Sequence, residues 1–202
     1  MTTLGIIAGS HRVDSQSTRV ATYMIDRLKI ISSDVSCELF DLKNNPLPLW
    51  DEGVWGATET WTKVWQPVSK RLQSCDAFVV IAPEWAGMVP PGLKNFFLLC
   101  STADVGHKPG LIVGVSSTRG GSYPISELRT SSYKNNRICY IPEHLILRDV
   151  TQLLNAEVPT ADDQYIRGRI DYCLRLLIAY ADSFKSIRSS GLIDHKSYPF
   201  GM

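Results

Sequence analysis

Five short runs rich in apolar residues are spaced along the chain at intervals too long for hairpins, and this spacing restricts the possible folds more than any other feature. Leu4-Gly5-Ile6-Ile7-Ala8, Val35 to Leu42, Ala77-Phe78-Val79-Val80-Ile81-Ala82, Leu111-Ile112-Val113-Gly114-Val115 and Ile138-Cys139-Tyr140-Ile141 read as strands. Four of them are apolar nearly throughout, as strands are when a parallel sheet is covered on both faces. The second alternates, with Val35, Cys37 and Leu39 against Ser36 and Glu38, which places it nearest an edge. Helix-patterned segments lie at about 17–31, 60–73, 91–101, 122–135 and 161–188. In the last of these Ile166, Ile170, Cys173, Leu174, Leu177, Ala181 and Phe184 form one apolar stripe, and Thr160 with Asp163 forms a capping arrangement. Strand-helix repetition five times over predicts an open α/β sandwich with right-handed crossovers. Residues 43–59, containing Pro46, Pro48, Trp50 and Trp55, read as a long surface loop, and 189–202 as a tail or arm beyond a 1–188 domain.

Charge narrows the partners. The 202 residues hold 21 Lys and Arg against 20 Asp and Glu, so the basic excess on which a nucleic-acid binder depends is missing. With 44% hydrophobic and 20% charged residues the chain has enough apolar surface to bury a sizeable core, which excludes the disordered class. Cys37, Cys75, Cys100, Cys139 and Cys173 form no Cys-x-x-Cys pair and have no nearby His at zinc spacing, so no metal site is expected and a reducing compartment is. The N-terminal apolar run stops at Ala8 without a basic n-region, and the longest apolar stretch, Phe78 to Pro83, is far short of the roughly 18 residues of a membrane span. The expectation is a cytoplasmic protein without a membrane or nucleic-acid partner.

In an open parallel sheet the ligand crevice lies beyond the carboxyl ends of the strands, where the strand order reverses. After the first strand comes Gly9-Ser10-His11-Arg12-Val13-Asp14-Ser15-Gln16-Ser17-Thr18-Arg19, a hydroxyl-rich turn running into a helix. Free backbone N–H groups, hydroxyls and an arginine fork at the positive end of a helix dipole are the donors a phosphate monoester needs. Capping of the helix by Ser15 or Ser17 would account for one hydroxyl but not for four together with Arg12. The turn lacks the Lys-Ser or Lys-Thr of a nucleoside-triphosphate loop and the Gly-x-Gly-x-x-Gly of a dinucleotide fingerprint.

The segment GSHRVDSQSTRVA, residues 9–21, resembles the phosphate-binding signature of the flavodoxin-like NAD(P)H-dependent FMN reductases, close to Gly-Ser-x-Arg-x-x-Ser-x-Asn. Ser10, Arg12 and Ser15 match it, and Ser17 stands in place of Asn. After the third strand, Pro83-Glu84-Trp85-Ala86-Gly87-Met88-Val89-Pro90-Pro91-Gly92-Leu93-Lys94-Asn95 is similar to the family's Pro-Glu-Tyr-Asn followed by Pro-x-x-Leu-Lys-Asn. Trp85 keeps a ring where the family has Tyr, whereas Ala86 lacks the amide of Asn. After the fourth strand, Ser116-Ser117-Thr118-Arg119-Gly120-Gly121-Ser122 corresponds to a third family loop that ends in paired glycines, although a plain turn capped by Ser122 fits it too.

The resemblance covers roughly residues 3–185 and implies a three-layer sandwich with a five-stranded parallel sheet in the order 2-1-3-4-5. It also implies that Ser10, Arg12, Ser15, Ser17 and Thr18 hold the phosphate of FMN, and that Pro83, Glu84, Trp85, Ala86 and Gly87 with Ser116, Ser117, Arg119, Gly120 and Gly121 meet its ring. NADPH or NADH would then deliver hydride to the flavin, and a small acceptor such as free flavin or a quinone would take the electrons. No protein side chain need be catalytic, since the flavin carries the chemistry. Glu84 has the chemistry of an acid or base, but a loop-structuring role through backbone N–H groups is preferred. Arg119 could touch FMN, a dinucleotide phosphate or solvent. The four histidines read as surface or core. The family pattern implies a homodimer or homotetramer, for which Trp50, Trp55, Trp61 and Trp65 are candidate exposed aromatics, with packing inside the monomer the other option. A non-catalytic FMN-binding protein, favoured by Ala86 and Ser17, is the competing reading.

Overall fold

The computed structural model describes residues 1–201, and its sheet is parallel throughout, in the order β2-β1-β3-β4-β5. The strands are β1 (Thr2–Ala8), β2 (Val35–Asp41), β3 (Ala77–Pro83), β4 (Pro109–Val115) and β5 (Cys139–Leu147). The helices are α1 (Gln16–Ile31), α2 (Glu59–Val64), α3 (Gln66–Ser74), α4 (Pro91–Leu99), α5 (Thr102–Val105), α6 (Ser122–Thr130) and α7 (Ala161–Ser189). Both β3 and β4 are buried at every residue, which is why they read as unbroken apolar runs, while the alternating β2 is an edge.

Successive strand residues feed opposite layers. Leu4, Ile6, Val79, Ile81, Leu111 and Val113 join Val20, Met24 and Leu28 of α1 and Ile170, Leu174 and Leu177 of α7 in one core. Ile7, Phe78, Val80 and Ile112 join Trp61, Leu72, Leu93, Phe96 and Leu128 on the other face. Each fully buried large apolar side chain contributes roughly 1.5–3 kcal/mol, so both faces are well anchored and the loops are left to vary. Among the described residues no helix is long and apolar enough to cross a membrane.

Three sequence expectations change. The helix at 60–73 is two helices meeting at Trp65, because Pro67 has no N–H to continue the ladder and sits instead in the first turn of α3. The fifth strand runs on to Leu147 through Pro142, which an edge strand tolerates. The register slips opposite Gly110 and Ile112, and Arg129 donates to the carbonyls of Ile141 and Pro142 at 2.9 Å each. Trp61 and Trp65 are not exposed aromatics: both are core residues, and only Trp55 stands in solvent, edge-on to a half-buried Trp50.

The tail folds back on the sandwich. His195 stacks on His107 at 5.2 Å, and Arg137 donates to the carbonyls of Tyr198 and Pro199.

Candidate active site

Every loop that leaves the carboxyl edge of the sheet is tied to another. Arg19, in the first turn of α1, donates to the carbonyls of Leu153 and Val150 and to Asn155 Oδ1, so the first loop grips the segment after β5. Asp149 N–H donates to the Thr118 carbonyl and Arg148 to the Arg119 carbonyl, which fixes the loop after β4.

The first loop holds donors without acceptors. Ser15 caps α1, its Oγ accepting from Thr18 N–H at 3.2 Å, and Ser10 Oγ accepts from Arg12 N–H at 3.3 Å. Each keeps its own O–H to donate. Ser17 is 1% exposed, and its hydroxyl has no partner. The N–H groups of Gln16 and Ser17 open the helix and so lack i−4 acceptors. Arg12 is exposed, and a cleft of about 680 Å³ is lined by His11, Arg12, Val13, Asp14 and Trp85. An orphaned buried hydroxyl costs about 1–3 kcal/mol unless something accepts from it. Three serine hydroxyls, two helix-terminal N–H groups and a guanidinium fit a phosphate monoester. Thr18 stands apart, because its Oγ1 donates to Asp41 Oδ1 at 3.2 Å and is not free for an anion.

The loop after β3 is a hairpin closed on itself. Trp85 N–H donates to the Met88 carbonyl at 3.0 Å and Met88 N–H to that of Trp85 at 2.9 Å, with φ +49° at Ala86 and +74° at Gly87. Two left-handed residues in succession make a type I′ turn, which favours Asn-Gly. Ala86 therefore occupies a left-handed position that an Asn would fill with less strain, and the missing amide leaves the turn closed. Val89 N–H donates to Glu127 Oε2 at 2.7 Å, and Lys94 pairs with the same carboxylate. Burial pushes the Glu127 carboxyl up, but Lys94 and the Val89 N–H together hold it below its ordinary value. Asn95 is buried, accepting from Trp50 N–H and donating to the Pro48 carbonyl, both at 2.8 Å, and so pins the 43–59 segment to α4.

Glu84 structures the third loop. Its Oε2 accepts from Gly121 N–H at 2.5 Å and Tyr123 N–H at 3.3 Å. The two glycines serve different needs: a Cβ on Gly120 would lie 2.7 Å from Glu84 Oε1, and Gly121 has φ +104°. Gly121, not Ser122, holds the cap position of α6. Ser116 is buried and accepts from Thr118 N–H, while Ser117 and Arg119 are exposed. With Glu84 N–H on the Val115 carbonyl and Pro83 buried at the strand end, the N–H groups of Ala86, Gly87, Ser117, Arg119 and Gly120 have no partner among the described residues.

Sequence reading missed His11, Glu127, Arg148 and Arg19, whose contacts in the fold are with residues distant in sequence. Cysteine chemistry is absent from the site: burial raises every thiol that shifts, Cys75 to about 12. Among the described residues no three His, Cys, Asp or Glu side chains gather as metal ligands.

Residues 2–152 match the family model of the NADPH-dependent FMN reductases. Over 125 residues the chain is 29% identical to an FMN-dependent NADPH-azoreductase of Staphylococcus saprophyticus, a stretch covering 61% of this chain and 65% of that enzyme, so the match spans somewhat under two thirds of the relative. Its fold is similar to that of FerB, a flavoenzyme NAD(P)H:(acceptor) oxidoreductase from Paracoccus denitrificans, with TM-score 0.66 and 18% identity over 92% of this chain and 98% of that one. It is also similar to an FMN-dependent NADH-azoreductase from Bacillus anthracis solved in complex with FMN, with TM-score 0.59 and 17% identity over 88% of this chain and 100% of that one.

Proposed function

The chain belongs to the NADPH-dependent FMN reductase family, and on that premise we propose that it takes hydride from NADPH or NADH onto FMN and passes the electrons to free flavin, a quinone or a similar small acceptor. The observation that carries the reading is Ser17, whose buried hydroxyl finds no acceptor in the chain at the head of α1, beside Ser10, Arg12 and Ser15. FMN supplies the redox chemistry when bound, its ring accepting and releasing a hydride.

The chain's own residues bind and orient. Arg12 with the three serines holds the phosphate, and α1 presents its positive end to it. With FMN bound, Trp85 to Gly87 and the Gly120–Gly121 turn would hold the ring, and the unpartnered N–H groups of Ala86, Gly87, Ser117, Arg119 and Gly120 would be the donors available to it, the logic of an oxyanion hole. Glu84 holds backbone and moves no proton, because both of its contacts are as an acceptor of backbone N–H groups.

A non-catalytic role loses its motive: the turn at Ala86 closes without an amide, and Ser17 retains a donor. We place the enzyme in the cytoplasm, where its five free thiols stay reduced, with residues 1–188 as the flavin unit. Self-association as a homodimer or homotetramer would use the exposed Leu49 and Trp55 beside Trp50.

The test is an anaerobic titration of FMN-loaded protein with NADPH and with NADH, followed by a panel of acceptors. Bleaching of the flavin absorbance and its return on adding an acceptor is the expected result. Protein that takes up no FMN, or whose bound flavin neither nucleotide reduces, overturns the reading.

A further inference from the structure

We propose that His11 contacts the cofactor, as an Nε2–H donor held at the phosphate end of the cleft. The inference rests on the FMN reading above and adds to it a residue that the phosphate-loop pattern leaves open, since that pattern specifies no side chain between Ser10 and Arg12.

The tautomer follows from burial. His11 Nδ1 is buried and has no hydrogen-bond partner. It faces the first turn of α4 so closely that a Cβ added to Gly92 would lie 2.7 Å away. A proton on Nδ1 would be a buried donor with no acceptor, which proteins rarely keep, so the proton sits on Nε2. Nε2 is not among the buried atoms without partners, and it makes no bond within the chain. The ring lines the cleft that also contains Arg12, Val13, Asp14 and Trp85, and Nε2 is the polar atom it presents there.

The orientation is held from the other side of the cleft. The Trp85 ring meets the imidazole edge to face, centroids 4.6 Å apart and planes at 71°. His11 is thus clamped between the loop after β3 and the start of α4 while its backbone remains in the first loop.

The donor sits one residue from Arg12 and one from Ser10, both assigned above to the phosphate. An N–H given to a dianionic phosphate is a charge-assisted bond, and losing it is worth about tenfold in affinity, equivalent to about 1.4 kcal/mol.

The experiment measures FMN and riboflavin dissociation constants by flavin fluorescence for the wild type, His11→Phe and His11→Gln. Phe keeps a ring against Trp85 and removes the donor; Gln keeps a donor and removes the ring. The expected result is that His11→Phe weakens FMN about tenfold with riboflavin unchanged, and that His11→Gln stays within about threefold of wild type for FMN. Unchanged FMN affinity in His11→Phe, equal weakening of FMN and riboflavin, or a Gln variant as weak as Phe overturns the assignment. If the wild type itself fails to bind FMN, the reading of the function fails instead, so the two failures are distinguishable.

Discussion

The two ends of the sheet treat polar groups in opposite ways. At the amino edge nearly every charge is matched: Arg188 pairs with Asp76 at 3.0 Å, Lys185 reaches Thr2, Asp76 and Asp182, and Thr2 donates to Asp182. The 5% exposed Lys108 donates to three carbonyls, those of Leu72, Gln73 and Asp104, at 2.8–3.1 Å. At the carboxyl edge Ser17 Oγ is buried without a partner among the described residues, and the N–H groups of Ala86, Gly87, Ser117, Arg119 and Gly120 are left open. One edge is finished as a folded structure; the other is complete only when something is added. His107 Nε2 is the amino edge's exception, a buried nitrogen left bare beside the His195 stack.

The strongest test of this contrast is Lys108→Met. It leaves the Gln73 and Asp104 carbonyls without donors, while Leu72 keeps the Cys75 N–H, and is expected to lower unfolding free energy by about 2–3 kcal/mol in urea titrations, with FMN affinity unchanged. A fall in FMN affinity would show that the two edges are not independent. Ser17→Ala should act in the opposite sense, stabilising the FMN-free protein by about 1 kcal/mol while weakening FMN binding about tenfold. If this variant loses stability, the hydroxyl is structural and the donor set shrinks. Ala86→Asn should raise stability by about 0.5–1 kcal/mol through the left-handed turn position, read as a higher urea midpoint; no change would mean that the turn carries no strain.

An effect of the same size concerns pH. Glu127 titrates below its ordinary value in the folded state, so its contribution is whole above that value and is lost as pH falls through the lower folded one. Unfolding free energy measured between pH 5 and 3 should therefore fall by about 0.5–1 kcal/mol more in the wild type than in Glu127→Gln. Parallel pH dependences would detach the ion pair with Lys94 from the positioning of Val89.

What the sequence made legible was whatever is written in consecutive residues. The centres of all five strands and the long α7 carry their period in one stretch, and Ser10, Arg12, Ser15 and Ser17 lie within eight positions of one another. Ends were harder, because β5 passes Pro142 only with Arg129 supplying donors to the displaced carbonyls, and nothing local announces that. Side-chain commitments were hardest. Thr18 looked like one more phosphate hydroxyl, but its proton goes to Asp41 at the end of a neighbouring strand. Trp61 was open to an exposed or a packed reading, and it takes the second: its indole N–H donates to Asp51 while its ring joins the core. His11 had no visible role until Trp85 and Gly92, remote in sequence, closed around it.

Asn95 has a consequence for how this scaffold can change length. By holding Trp50 N–H and the Pro48 carbonyl, its amide splits the excursion between β2 and α2 into two shorter loops that close separately. Closure entropy grows only slowly with loop length, about 0.6 kcal/mol for each doubling, so residues added on either side of that staple are cheap as long as the staple stays. Insertions before Pro48 would vary the rim beside the first loop, and insertions after Trp50 would vary the aromatic surface around Trp55. Each could be remodelled without shifting the register of the other, which gives the fold two independent places to acquire a new acceptor or a new neighbour.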